Sequence, residues 1–178
     1  GDPVVKGAPA FDVRKQTPEA AAQQFGYNCD YVGVLELDKK KALLVVNHEY
    51  TDEVLMFPEG VYDDDTIRRI GLASHGMSVV TLRRGKVPGS WLVVDPKRTK
   101  HNRRITAETP FTMTGPAAGD DRLKTTADLS GTEVLGTLNN CAGGTTPWGT
   151  VLSGEENFNQ YFEKSGDIDP AYAESYAR

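Results

Sequence analysis

The sequence predicts an all-β chain, its strands patterned as in a β-propeller, with short helical insertions and long loops. Three observations predict it. Apolar, β-branched runs of strand length recur in pairs, each pair joined by a short polar turn. The first two pairs together make four antiparallel strands, which is what one propeller blade needs. A weak internal repeat then sets an Asn-Cys pair ahead of a strand ending in glutamate twice over, Asn28-Cys29 with Glu49 and Asn140-Cys141 with Glu156. Repetition of a strand unit is the sequence sign of propellers and related arrays.

In chain order, residues 1–30 are irregular except for "TPEAAAQQFG", where Thr17 as N-cap, Pro18 at the first helical position and Gly26 as stop outline a short helix. "YVGVLEL" (31–37) and "KALLVVNHE" (41–49) flank "DKKK" and read as a surface hairpin. An acidic insertion follows, leading into "DTIRRIGLASHG". There Asp65 or a neighbouring Asp caps a helix that carries Ile67, Ile70 and Leu72 near one face, and Gly76 ends it. "MSVVTLRRG" (77–85) and "SWLVVDP" (90–96) form the second hairpin through "GKVPG". Residues 97–131 are polar and read as one long connection. "EVLGTLNN" (133–140) and "GTVLSGEE" (149–156) are two further β runs, with the segment around Cys141 as the turn between them. The ending "AYAESYAR" has no helix cap or tapering tail, so the chain is expected to continue beyond Arg178 in the natural protein, with 1–178 as part of one propeller domain.

Composition narrows the function classes. A net charge of -5 and a pI near 5.2 exclude a nucleic-acid binder that relies on a basic face, and leave small molecules or cations as partners. No apolar run reaches the roughly 20 residues that cross a bilayer, so stable membrane insertion is not expected. Cys29 and Cys141 allow one disulfide or two separate thiols.

A carboxylate at a strand end beside loops rich in Asn, Thr and Gly suits hard cations such as calcium. A thiolate favours transition metals, so Cys141 near Glu49 and Glu156 implies a site for iron or zinc, alone or beside calcium. The same residues also read as a small buried cysteine and a solvated strand end. Alternation separates His48 from its neighbours: Asn47 and Glu49 face one way and His48 the other, which makes Glu49 the ligand and His48 a structural hydrogen-bonder. His75 and His101 read as surface groups, and Arg103-Arg104 as a solvated turn able to pair with an anion. "TGPAAGDD" lacks the strand-to-helix context of a phosphate-binding loop.

"VVNHEYTDE", "ASHGMSVV", "HNRRIT", "TGPAAG" and above all "LGTLNNCAGGTTPWGTVLSGEENFNQYF" resemble the PhoX family of bacterial alkaline phosphatases, in order from about Phe25 to Phe162. The resemblance implies a portion of a six-bladed β-propeller, about one blade plus the start of the next, and a phosphomonoesterase acting on small phosphate esters. It implies export by the twin-arginine route to the periplasm or beyond, and a cluster of Fe(III) and Ca2+. By motif match it implies Glu49 of "NHE", Cys141 of "NNC" and Glu156 of "EEN" as metal ligands, with Cys141 on iron and Glu155 as the adjacent fallback. Glu156 doubles as the candidate for acid/base work. The remaining ligands and blades are expected past Arg178, and the segment alone is expected to be inactive. Cys29 lies outside the family pattern and receives no role. Two other readings compete: a non-catalytic, calcium-stabilised propeller module that binds a partner, and a thiol enzyme with Cys141 as nucleophile.

Overall fold

A computed structural model describes residues 1–162 together with Gly166, Asp167 and Pro170. The strand-rich reading holds: antiparallel sheets dominate and the helices are short. Strands β1 (Cys29–Asp38), β2 (Lys41–His48), β3 (Gly76–Arg84) and β4 (Trp91–Val93) lie side by side in sequence order. These are the two expected hairpins, with all three pairings antiparallel.

Both faces of this sheet are apolar, because β2 and β3 alternate two hydrophobic sets rather than one hydrophobic and one polar. Leu43, Val45, Met77 and Val79 are buried on one face, packed with Leu35, Ile105 and Val151. Ala42, Val46 and Val80 are buried on the other. A sheet patterned this way is built to be covered on both sides.

Helix α1 (Pro18–Ala21) starts as predicted, with the Thr17 hydroxyl accepting from Ala20 N at 3.1 Å. It ends at Ala22, so Gly26 is not its stop. Instead Gly26 sits against the His48 ring, where a Cβ would collide. The acidic insertion contains an unpredicted turn, α2 (Glu53–Met56), capped by Asp52. Helix α3 (Asp64–Ser74) is capped by Asp63, which accepts from Thr66 N at 2.8 Å. Its buried face centres on Ile70 and Ala73 and packs on Ala21 of α1, with Ile67 and Leu72 at the margin. Gly76, at φ +91 and against the Ile105 carbonyl, lets the chain turn straight from helix into β3.

Two expectations need correction beyond β4. The stretch 97–131 is not one connection: β5 (Arg103–Ile105) pairs with β3 beside β4, and β6 (Thr109–Thr112) begins a new sheet. The run 133–140 is also not one strand. β7 (Glu133–Gly136) pairs with β6, and β8 (Asn140–Thr145) pairs with β9 (Val151–Glu155) through a turn at Thr146–Thr150. Cys141 therefore lies within a strand and not in a turn. Asn139, with φ +51, ends the first run and redirects the chain.

Among the described residues no helix is long and apolar enough to cross a membrane.

Candidate metal centre

The two hairpins that carry the predicted ligands are built alike at the end where they meet. Asn28 precedes β1 and Asn139 precedes β8, and both adopt the left-handed conformation, at φ +46 and +51. Asn tolerates this better than most residues because its short polar side chain bonds locally. The Asn28 carbonyl accepts from Glu49 N at 3.0 Å, and the Asn139 carbonyl accepts from Glu156 N at 2.9 Å. Each hairpin is thus closed by an asparagine opposite a glutamate. Two residues after each asparagine stand Asp30 and Cys141.

Asp30, Glu49 and Cys141 converge, and Glu156 faces them. The Cys141 thiol donates to Asp30 Oδ2 at 3.0 Å. Donor atoms of Asp30, Glu49 and Cys141 lie within 4.8 Å of one another, about twice the 2.3–2.6 Å of a calcium–oxygen bond. Glu156 also faces the thiol, and with Asp30 it pushes the Cys141 pKa up to about 12. Burial, then the charges of Asp30 and Glu156, raises Glu49 above the usual carboxylate range. Among the described residues none of these carboxylates forms an ion pair with Lys or Arg. Three carboxylates and a thiol held together without a cation is a donor set that fits metal: oxygen for a hard ion, sulfur for a transition metal.

The hairpins are held in contact by two features of their inner faces. The fully buried Asn47 donates through Nδ2 to Cys141 O at 2.8 Å and accepts through Oδ1 from the Ser153 hydroxyl at 3.2 Å. Ser153 in turn accepts from Asn140 Nδ2 at 2.8 Å. The second feature is Gly143, which leaves room for the Tyr31 ring where a Cβ would collide. "CAGG" is thus the close approach that brings β8 onto β1.

Glu49, Cys141 and Glu156 are together, whereas Glu155 is turned away. Its carboxylate accepts from the Thr137 hydroxyl at 2.6 Å and from Leu138 N at 2.8 Å, so it braces the preceding loop. His48 is buried on the opposite face, as alternation predicts. Its Nε2 accepts from Gly26 N at 3.2 Å and meets the Ser78 hydroxyl at 2.7 Å. Burial first, then Arg104, pulls its pKa down to about 3, which keeps it neutral.

His75 and Arg104 depart from the surface reading. His75 is buried, with Nδ1 on the Gly71 carbonyl at 2.7 Å. The Arg104 guanidinium reaches the carbonyls of Met77, Ala73 and His75 at 2.7, 3.0 and 2.9 Å and ties the end of α3 to β3. Cys29 and Cys141 are both free thiols, which removes the disulfide.

Asp30 is the residue sequence reasoning missed. Aligning the repeat on its cysteines set Cys29 against Cys141, but the structure aligns it on Asn28 and Asn139. That shift of one residue pairs Cys29 with Asn140, and Asp30 with Cys141. In strands one step exchanges the two faces, so the error hid a candidate ligand.

Comparisons with known proteins identify the family of the chain. The family model described as "Alkaline phosphatase PhoX" matches residues 1–177. Among solved structures, Pseudomonas fluorescens PhoX in complex with vanadate, a transition state analogue, superposes with a TM-score of 0.85 at 40% identity. The match covers 96% of this chain and 30% of that one, so the chain spans under a third of its relative. Comparison with curated proteins finds no match. By the extent of the family match and the likeness to that structure, the chain belongs to the PhoX alkaline phosphatase family.

Proposed function

We propose that this chain supplies part of the active site of a metal-dependent alkaline phosphatase that hydrolyses phosphomonoesters, with iron and calcium as its metals. The observation that carries the reading is the convergence of Asp30, Glu49 and Cys141, with Glu156 facing the thiol, without a neutralising cation among the described residues. Family membership supports the reaction class, and the vanadate bound to the Pseudomonas fluorescens relative supports a phosphoryl-transfer site.

In this reading Cys141 would hold iron as a thiolate, Glu49 and Asp30 would offer oxygens to calcium, and Glu156, facing the thiol, would offer a further carboxylate. When bound, the metals supply positive charge for the phosphate oxygens and acidify water. The residues of this chain prepare that environment. Asn47 fixes the Cys141 backbone, and the left-handed asparagines fix those of Glu49 and Glu156. Glu156 faces the thiol and is the carboxylate placed to receive a proton near the reacting groups. The remaining ligands come from further propeller blades of the parent chain. Export by the twin-arginine route to the periplasm or beyond belongs to the same reading and is checked by cell fractionation of the parent protein.

The test uses the full-length protein and a generic aryl phosphate. Hydrolysis that is lost on chelation and resists thiol alkylation of the metal-loaded enzyme is the expected result. Folded, metal-loaded protein without hydrolysis would instead favour a calcium-stabilised binding module.

A further inference from the structure

Resting on the metal-site reading above, we infer that Tyr161, acting through Asn139, is a positioning residue that holds Glu156 in the site. The inference comes from a chain of hydrogen bonds leading out of the site toward α3. Asn139 is 5% exposed and grips the Glu156 peptide from both sides. Its carbonyl accepts from Glu156 N at 2.9 Å, and its side-chain Nδ2 donates to Glu156 O. A side-chain amide can do this in only one of its two flips. The Tyr161 hydroxyl selects that flip by donating to Asn139 Oδ1 at 3.0 Å.

Tyr161 is itself fixed. Its ring meets His75 edge to face, with centroids 5.1 Å apart at 88°, and its hydroxyl lies 2.8 Å from His75 Nε2. His75 Nδ1–H is committed to the Gly71 carbonyl. Nε2 of a neutral imidazole therefore shares the single phenol proton with Asn139 Oδ1, whereas a charged one donates its Nε2–H to the phenol oxygen and leaves that proton wholly on Asn139. In either form that oxygen stays between the two side chains.

The other hairpin shows that the grip is specific to Glu156. Asn28 has the same backbone and the same carbonyl bond to Glu49 N, yet its Nδ2 is buried with no partner among the described residues. Glu49 follows β2, a strand paired on both sides; Glu156 follows β9, which pairs only with β8 among the described residues. The side-chain clamp stands where the sheet gives least support.

The experiment compares full-length wild type with Tyr161→Phe, Asn139→Gly and the double variant, measuring iron and calcium content and the rate of iron loss to excess chelator. Phenylalanine keeps the ring contact with His75 while removing the hydroxyl from Asn139 and His75, and glycine keeps the left-handed backbone while removing the amide bonds to Tyr161 and to the Glu156 carbonyl. Each single variant is expected to lose iron roughly tenfold faster, the scale of outer-shell changes at metal sites. The double variant is expected to lose it no faster than Asn139→Gly alone, because Tyr161 acts only through Asn139. Iron loss at the wild-type rate in Tyr161→Phe, or multiplicative effects in the double variant, overturns the inference and leaves the metal site standing. Wild-type protein without metal overturns both.

Discussion

Asp30 and Cys141 occupy the same place in two similar hairpins, and in the proposed metal centre the one difference between them sets which metal each residue would attract. Carboxylate oxygen suits calcium and thiolate suits iron. Cys141→Ser in the full-length protein is expected to lose iron while keeping calcium, and Asp30→Asn to lower calcium before iron, both read by elemental analysis. Glu155→Gln is expected to leave metal content unchanged, because that carboxylate serves Thr137 and Leu138 instead; a loss of metal there would move the ligand assignment by one residue. Asp128 gives a pH prediction away from the site. The Ser130 hydroxyl, then the backbone amides of Glu133, Ser130 and Thr132, bring its pKa down to about 2. A depressed carboxylate stabilises its loop above the ordinary value of about 4 and loses that contribution as pH falls through the folded value. An NMR titration of the Asp128 carboxyl carbon should therefore find its midpoint near pH 2, and a midpoint near 4 would contradict the loop geometry.

Among the elements, Asn47 joins the sheet to the second hairpin. Asn47→Ala leaves the Cys141 carbonyl without its side-chain donor in a buried setting, at a cost of about 1–3 kcal/mol. Chemical denaturation measures that cost, and faster alkylation of Cys141 should accompany it. Hairpins β1–β2 and β3–β4 were legible because Val, Leu and Tyr runs of strand length flank polar turns. Strands β5 and β6 were not, since "RRI" and "TPFT" are too short to show a period and form only by pairing with β3 and β7. Strand β8 was hidden more deeply. "NCAGGT" has low strand propensity, and pairing with β9 and the Gly143 contact with Tyr31 hold it as a strand. The grouping of Glu49, Cys141 and Glu156 as a candidate site was legible through motif resemblance, while the burial of His75 and the carbonyl contacts of Arg104 depend on α3 folding back onto β3 and left no signal in local composition.

At the scale of the whole molecule, the first sheet is patterned for cover on both faces, and much of that cover is missing among the described residues. Val32, Val34 and Val93 are 55%, 59% and 63% exposed on one face. On the other, an open groove of about 970 Å³ runs between the sheet and the later hairpins, lined by Leu35, Met77, Phe111, Leu135 and Leu152 among others. Exposed apolar surface with free strand edges drives association. The 178-residue chain expressed alone is expected to self-associate and to lack phosphatase activity, as read by light scattering and an aryl phosphate assay. A monodisperse, active monomer would contradict the reading of this chain as part of a larger propeller. The most direct test of the metal centre is elemental analysis of natively purified full-length protein beside its Cys141→Ser variant. The account predicts iron with calcium in the wild type and selective loss of iron from the variant; calcium alone in both, or no metal in either, would contradict it.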